Sequence, residues 1–143
     1  MKKNRDASLE SLLHVIARLR APGGCPWDRK QTHQSLKPYL KEETQELLEA
    51  LDGRDDEHIV EEMGDVLLQL LLHSQLKAEK KRFTFWDVVK RLEEKMIFRH
   101  PHVFKKAKKN MGMAELNVQW QHLKAQEKKL KALKQRRPKR AAN

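Results

Sequence analysis

Between Leu9 and Leu133 the apolar residues return every three or four positions, and no stretch of useful length alternates with period two. That pattern admits helices and leaves no place for a sheet, so the expected fold class is all-α. A first helix carries Leu9, Leu12, Leu13, Ile16 and Leu19, with Asp6 or Ser8 as its N-cap. Ala21-Pro22-Gly23-Gly24-Cys25-Pro26 stops it, and a loop is expected to about Ser35. A second helix is predicted from near Leu36, because Pro38 fits only a first turn. It carries Tyr39, Leu40, Leu47, Leu48 and Leu51 and stops at Gly53. Asp55 or Asp56 caps a third helix with Ile59, Val60, Met63, Val66, Leu67, Leu70 and Leu71. From Val66 to Leu72 it is apolar nearly all round, which marks it as the buried helix. Thr84, with Asp87 three residues later, resembles a capping box for a fourth helix through Val88, Val89, Leu92 and Met96, which His100-Pro101 ends. Met113 to about Leu133 reads as a fifth.

A length of 143 residues suits one domain. Residues 1–133 are expected to form it, and residues 134–143 to be a basic, disordered tail. With 36% charged residues the core must be modest, and such cores are often completed by a partner subunit or a metal. Cys25 is the only cysteine, which excludes an intrachain disulfide and fits a reducing, cytoplasmic compartment. The basic start at Met1-Lys2-Lys3-Asn4-Arg5 runs into Asp6 and lacks the continuous apolar core of a signal peptide. The densest apolar run, 66–72, contains Gln69 and is far short of the roughly 20 residues that span a bilayer, so no membrane is expected.

The net charge of +11 is unevenly placed. Residues 1–104 hold 18 Lys/Arg against 18 Asp/Glu, while residues 105–143 hold 13 Lys/Arg against only Glu115 and Glu127. A solvated extension explains this, as does a patch that attracts polyphosphate or, weakly, nucleic acid.

Glu42, Glu43, Glu46 and Glu49 lie on the second helix, and Glu61, Glu62 and Asp65 on the third. Residues three apart share a helix face, so Glu43 with Glu46, and Glu62 with Asp65, form convergent pairs. If the two helices pack antiparallel across Asp52–Asp56, the pairs face each other and repel unless a cation lies between them. Oxygen-only donors select Mg²⁺ or Mn²⁺ over zinc or copper. Taken singly, each Glu reads as a solvated helix residue. Asp65, however, sits directly before the most apolar stretch, where an unpaired carboxylate is costly. Gly64, flanked by Glu62 and Asp65, is a poor helix former, and a close approach of backbone is expected there. A di-iron bundle would want Glu-x-x-His, and no Glu here has His three residues later. His73, just past the apolar run, reads as a satisfied core histidine.

Several motifs resemble the MazG-type nucleoside triphosphate pyrophosphohydrolases. They are Gly23-Gly24-Cys25-Pro26-Trp27-Asp28, Gln31-Thr32-His33, Ser35-Leu36 and Tyr39-Leu40, then Glu42-Glu43-x-x-Glu46 and Glu62-x-x-Asp65. Arg99-His100-Pro101-His102-Val103-Phe104, and Trp120 with Leu123 to Lys128, extend the resemblance over roughly residues 8–130. It implies Mg²⁺-dependent hydrolysis of a nucleoside triphosphate to the monophosphate and pyrophosphate by a homodimer of helical hairpins. That gives an all-α bundle of about four to five helices, completed by homodimerisation. It further implies Glu43, Glu46, Glu62 and Asp65 as metal ligands, with Glu42 completing the acidic cluster or orienting the attacking water. Lys95 and Arg99 would contact phosphates, although cations are also favoured at a helix C-terminus on dipole grounds alone. Trp27 is expected in the core, and Trp120 either in the core or beside the nucleotide. Well-known members carry two such domains in tandem, and this chain resembles the first of them. A non-catalytic nucleotide or nucleic-acid binding module, using the basic tail, is the alternative; it has no need of a costly acidic cluster, and the tail lacks the interleaved aromatics of a stacking platform.

Overall fold

The computed structural model describes residues 7–105 and 110–136. Seven helices and no strand occur among them: α1 (Leu9–Arg20), α2 (Pro26–Lys30), α3 (His33–Asp52), α4 (Asp56–Glu79), α5 (Phe85–Arg99), α6 (Pro101–Phe104) and α7 (Met113–Arg136). Five are long and match the five periodic stretches; α2 and α6 are single short turns that periodicity cannot register. None of the described helices is long and apolar enough to cross a membrane. The chain divides into two compact units, residues 1–87 and 88–143.

In the first unit, local chemistry sets each boundary. Ser8 and Ser11 form a reciprocal capping box at the start of α1; the other expected cap, Asp6, lies outside the described residues. Gly23 takes a positive φ of 81° in the turn after α1. At Gly24 an added Cβ would fall 2.2 Å from the Leu19 carbonyl oxygen, so only glycine permits that crossing. The segment expected as loop to Ser35 instead contains α2, with Pro26 at its first position. α3 begins at His33, earlier than predicted, because Thr32 and Ser35 make a second capping box. Pro38 therefore stands inside the helix rather than in its first turn. Asp55 caps α4 by accepting from the Glu57 and His58 amides.

α3 and α4 pack along each other as an antiparallel hairpin, joined by Gly53–Asp55, and α1 lies against α2 and α4. Ile16, Leu36, Leu71, Leu72 and Leu76 form the core, with Leu9, Leu13, Leu19, Leu67, Leu68 and Phe85 packed against them. α4 supplies most of that core, as expected, but its buried part is displaced toward its C-terminal half. Leu70, inside the expected run, is exposed, as are Val60 and Met63. Trp27, expected in the core, is 48% exposed and meets Tyr39 edge-on at 5.6 Å, because α2 rides on the surface of α1. Arg20 ties the unit together. Its guanidinium bonds both oxygens of Glu79 at 2.8 and 2.9 Å and donates to the Asp28 and Gln31 carbonyls.

The second unit has no buried residue among those described. Asp87 accepts from the Thr84 amide and hydroxyl, half of the capping box read from the sequence. α6 follows α5 after a break at His100. α7 continues beyond Leu133 to Arg136, and the remaining residues of the expected tail, 137–143, lie outside the described residues.

Candidate metal centre and basic unit

α3 and α4 bring Glu43, Glu62 and Asp65 together, with a carboxylate oxygen from each lying within 4.8 Å of the other two. Glu62 is only 8% exposed, Glu43 and Asp65 are half-buried, and Glu42 and Glu46 are exposed. Glu46, the fourth expected ligand, is not part of this close group, although it stands one turn along α3 from Glu43. Burial first, then the neighbouring charges of Asp65, Glu46 and Glu42, pushes the Glu43 carboxyl above the usual carboxylate range. A group under such repulsion gains from a cation. Glu62 Oε2 is moreover buried with no hydrogen-bond partner, the condition that a ligand would relieve. Hard oxygen donors in this number suit Mg²⁺ or Mn²⁺.

Gly64, between the two α4 acids, does not make the expected close approach. An added Cβ there would meet nothing within 4 Å, since α4 turns that position away from α3.

Sequence reasoning missed two features of this unit. His58 Nε2 lies 3.1 Å from Glu62 Oε1, a contact that the four-residue spacing could have signalled. His33 and His73 stack in parallel at 5.0 Å, their Nδ1 atoms 2.7 Å apart, forty positions distant in sequence. His73 is thus partly buried but not satisfied, because its Nε2 has no partner. Burial lowers the pKa of both rings, and for His33 the charges of His73, Lys77 and Lys80 add to it.

The second unit gathers the other expected site residues. Arg99 is ion-paired to Glu127 Oε2, at 2.8 Å from Nε and 2.7 Å from Nη2, and its guanidinium lies 4.9 Å over the Trp120 ring. Trp120 is half-buried and meets His100 edge-on at 5.5 Å; His100 in turn donates from Nδ1 to the Met96 carbonyl at 2.6 Å. Lys95 lines a cleft of about 260 Å³ between α5 and α7, with Arg91, Lys131 and Lys134 around Phe98 and Leu130. Glu127, the partner that holds Arg99, was not singled out in the sequence.

A helical hairpin that gathers three carboxylates between its two helices defines an all-α protein with a candidate cation site. The MazG nucleotide pyrophosphohydrolase domain matches residues 31–104, more than half of the chain, and the chain belongs to that family. It is 50% identical over 119 residues to the nucleoside triphosphate pyrophosphohydrolase/pyrophosphatase MazG of Thermotoga maritima, covering 83% of this chain and 45% of that protein. It is 37% identical over 125 residues to the nucleoside triphosphate pyrophosphohydrolase of Escherichia coli K12, covering 87% and 47%. An uncharacterized Bacillus subtilis protein, YabN, is 53% identical over 114 residues, covering 80% and 23%. The matched segment thus spans less than half the length of each of these relatives. A crystal structure of a mazG-related protein from Thermotoga maritima superposes with a TM-score of 0.67 at 29% identity, over 82% of this chain and 99% of that one.

Proposed function

We propose that this protein hydrolyses nucleoside triphosphates to the monophosphate and pyrophosphate, using Mg²⁺ or Mn²⁺ held by Glu43, Glu46, Glu62 and Asp65. The observation that carries this reading is the close group of Glu43, Glu62 and Asp65, with a buried carboxylate oxygen of Glu62 left without a partner. Membership of the family and the names of the two pyrophosphohydrolase relatives support it.

When bound, the cation would supply charge neutralisation at the phosphate oxygens and an acidified water for attack at the α-phosphorus. The chain's own residues do the rest. Glu42, exposed beside the group on α3, accepts a hydrogen bond from the attacking water and orients it. Lys95 donates to phosphate oxygens as negative charge spreads over them. Arg99 does the same, sharing its fork between phosphate and Glu127. Trp120, with Arg99 over one part of its ring, offers an apolar surface to the base.

The working form is a homodimer. Val60, Met63 and Leu70 stand exposed along one stripe of α4 beside the open Gly64 position, an apolar strip left uncovered among the described residues. The activity is tested by incubating purified protein with Mg²⁺ and a nucleotide panel, scoring pyrophosphate separately from orthophosphate. Release of orthophosphate, or undiminished turnover in excess chelator, rejects the reading.

A further inference from the structure

The two oxygens of Glu62 stand in different surroundings. Oε1 meets His58 Nε2 at 3.1 Å, whereas Oε2 is buried and has no partner among the described residues. A glutamate side chain has three rotatable bonds, so burial alone leaves its terminal carboxylate free to rotate. An ionised carboxylate only accepts, so the His58 Nε2–H donates, and this one bond fixes the rotation. It engages one oxygen and leaves the other available.

The backbone of His58 is held by the helix cap. His58 lies in the first turn of α4, one turn before Glu62 on the same face, and its amide donates to Asp55 Oδ1 at 3.4 Å. Its side chain is half exposed, against 11% for that of Glu62. An ion pair so open to solvent adds little stability. What it does is directional.

We propose that His58 is a positioning residue for the cation centre, orienting the Glu62 carboxylate by a hydrogen bond to Oε1 so that Oε2 is presented for coordination. This rests on the carboxylate reading given above. The experiment titrates Mn²⁺ alone into the full chain and follows the free ion by electron paramagnetic resonance, with thermal melts by circular dichroism to verify folding. His58→Ala is expected to weaken Mn²⁺ binding about tenfold or more, within the range for groups that orient metal ligands, while His58→Gln, whose amide can still donate, stays within about threefold of the parent. Turnover of His58→Ala should recover at saturating Mn²⁺, so the loss falls on metal affinity rather than on the maximal rate. His58→Ala binding as tightly as the parent, or His58→Gln binding as weakly as His58→Ala, overturns the role of His58 alone. A parent that takes up no Mn²⁺, or Glu62→Ala that binds it unchanged, removes the carboxylate centre and the His58 role together.

Discussion

The two compact units carry opposite charge and are held together by different forces. Residues 1–87 hold 14 Lys/Arg against 16 Asp/Glu, and residues 88–143 hold 17 against 4. The first unit has a leucine core that fixes its carboxylates in place. The second has no buried residue among those described, and its Arg99 and Trp120 are held by an ion pair to Glu127, a cation–aromatic contact and the edge of His100. Packing therefore does in one half what polar pairing does in the other: one gathers the carboxylate group, and the other holds Arg99 between Glu127 and Trp120. Packing is the stiffer means, since close-packed interiors resist displacement. Polar pairs near the surface can exchange partners when a ligand arrives.

The largest expected effect divides the two units by kinetics. Asp65→Ala should lower turnover about 100-fold or more with helicity intact, because the cation is lost while carboxylate repulsion eases. Arg99→Ala should chiefly raise KM, by about tenfold, as a phosphate contact is removed. Steady-state kinetics with circular dichroism on both variants checks this, and equal losses of kcat would break the division of roles.

Next in size is the uncovered strip of α4. Within one chain Gly64→Ala has room and should favour the helix by about 1 kcal/mol. Against a second copy the added methyl obstructs packing, so dimerisation should weaken about tenfold, consistent with an overpacking cost of 1–3 kcal/mol. Sedimentation decides. A higher melting temperature with unchanged association would place the subunit contact elsewhere.

A smaller effect concerns acidity. The folded pKa values of His33 and His73 lie below the ordinary 6.5, so below that pH the unfolded chain binds protons that the folded chain does not. Stability should fall as pH drops from 6.5 toward the folded values. Glu43, raised by burial, works in the opposite sense as pH approaches its ordinary 4.5. The salt-bridged Glu79, whose pKa is lowered first by its hydrogen bond to Arg20, loses its contribution only below 4.5. Melting temperatures between pH 5.5 and 7.5 should therefore slope upward, and His33→Gln should flatten the slope. An unchanged slope in the variant would acquit the pair.

The smallest effect lies at the C-terminal end. Deleting residues 137–143 removes Arg137, Lys139 and Arg140 and no acid. Turnover at saturating substrate should hold. Capture at low salt should weaken about twofold and converge with the parent as screening sets in, since exposed charges act over roughly 10 Å at 0.1 M salt. Collapse of kcat would make the segment part of the site, and salt-resistant retention of DNA or RNA would favour a nucleic-acid role.

The five long helices were legible because period-3.6 patterning, Ser8, Asp55 and Gly53 act locally, on neighbours within a turn or two. Convergence of Glu43 with Glu62 and Asp65 was legible for the same reason, since a short connection forces adjacent helices antiparallel. α2 was not, because five residues carry too little period to register. The start of α3 was missed because the weight given to Pro38 concealed the Thr32–Ser35 box. The exposure of Trp27 and of Leu70 was also hidden, since apolar character says that a side chain gains from cover but not which surface supplies it.

The sequence by itself determined the five long helices, the acidic pairs and the placement of charge, all of which are properties of residues and their near neighbours. Only the tertiary structure decided that Glu62 is the buried acid, with one oxygen held by His58 and the other unpartnered. It also decided that Arg99 is paired with Glu127, that His33 stacks on His73, and that Gly64 faces open space. The Arg99–Glu127 pair and the His33–His73 stack depend on how two distant segments are brought within a few ångströms, and the burial of Glu62 and the openness at Gly64 depend on which faces of α4 the fold covers; neither is set by a local run of residues.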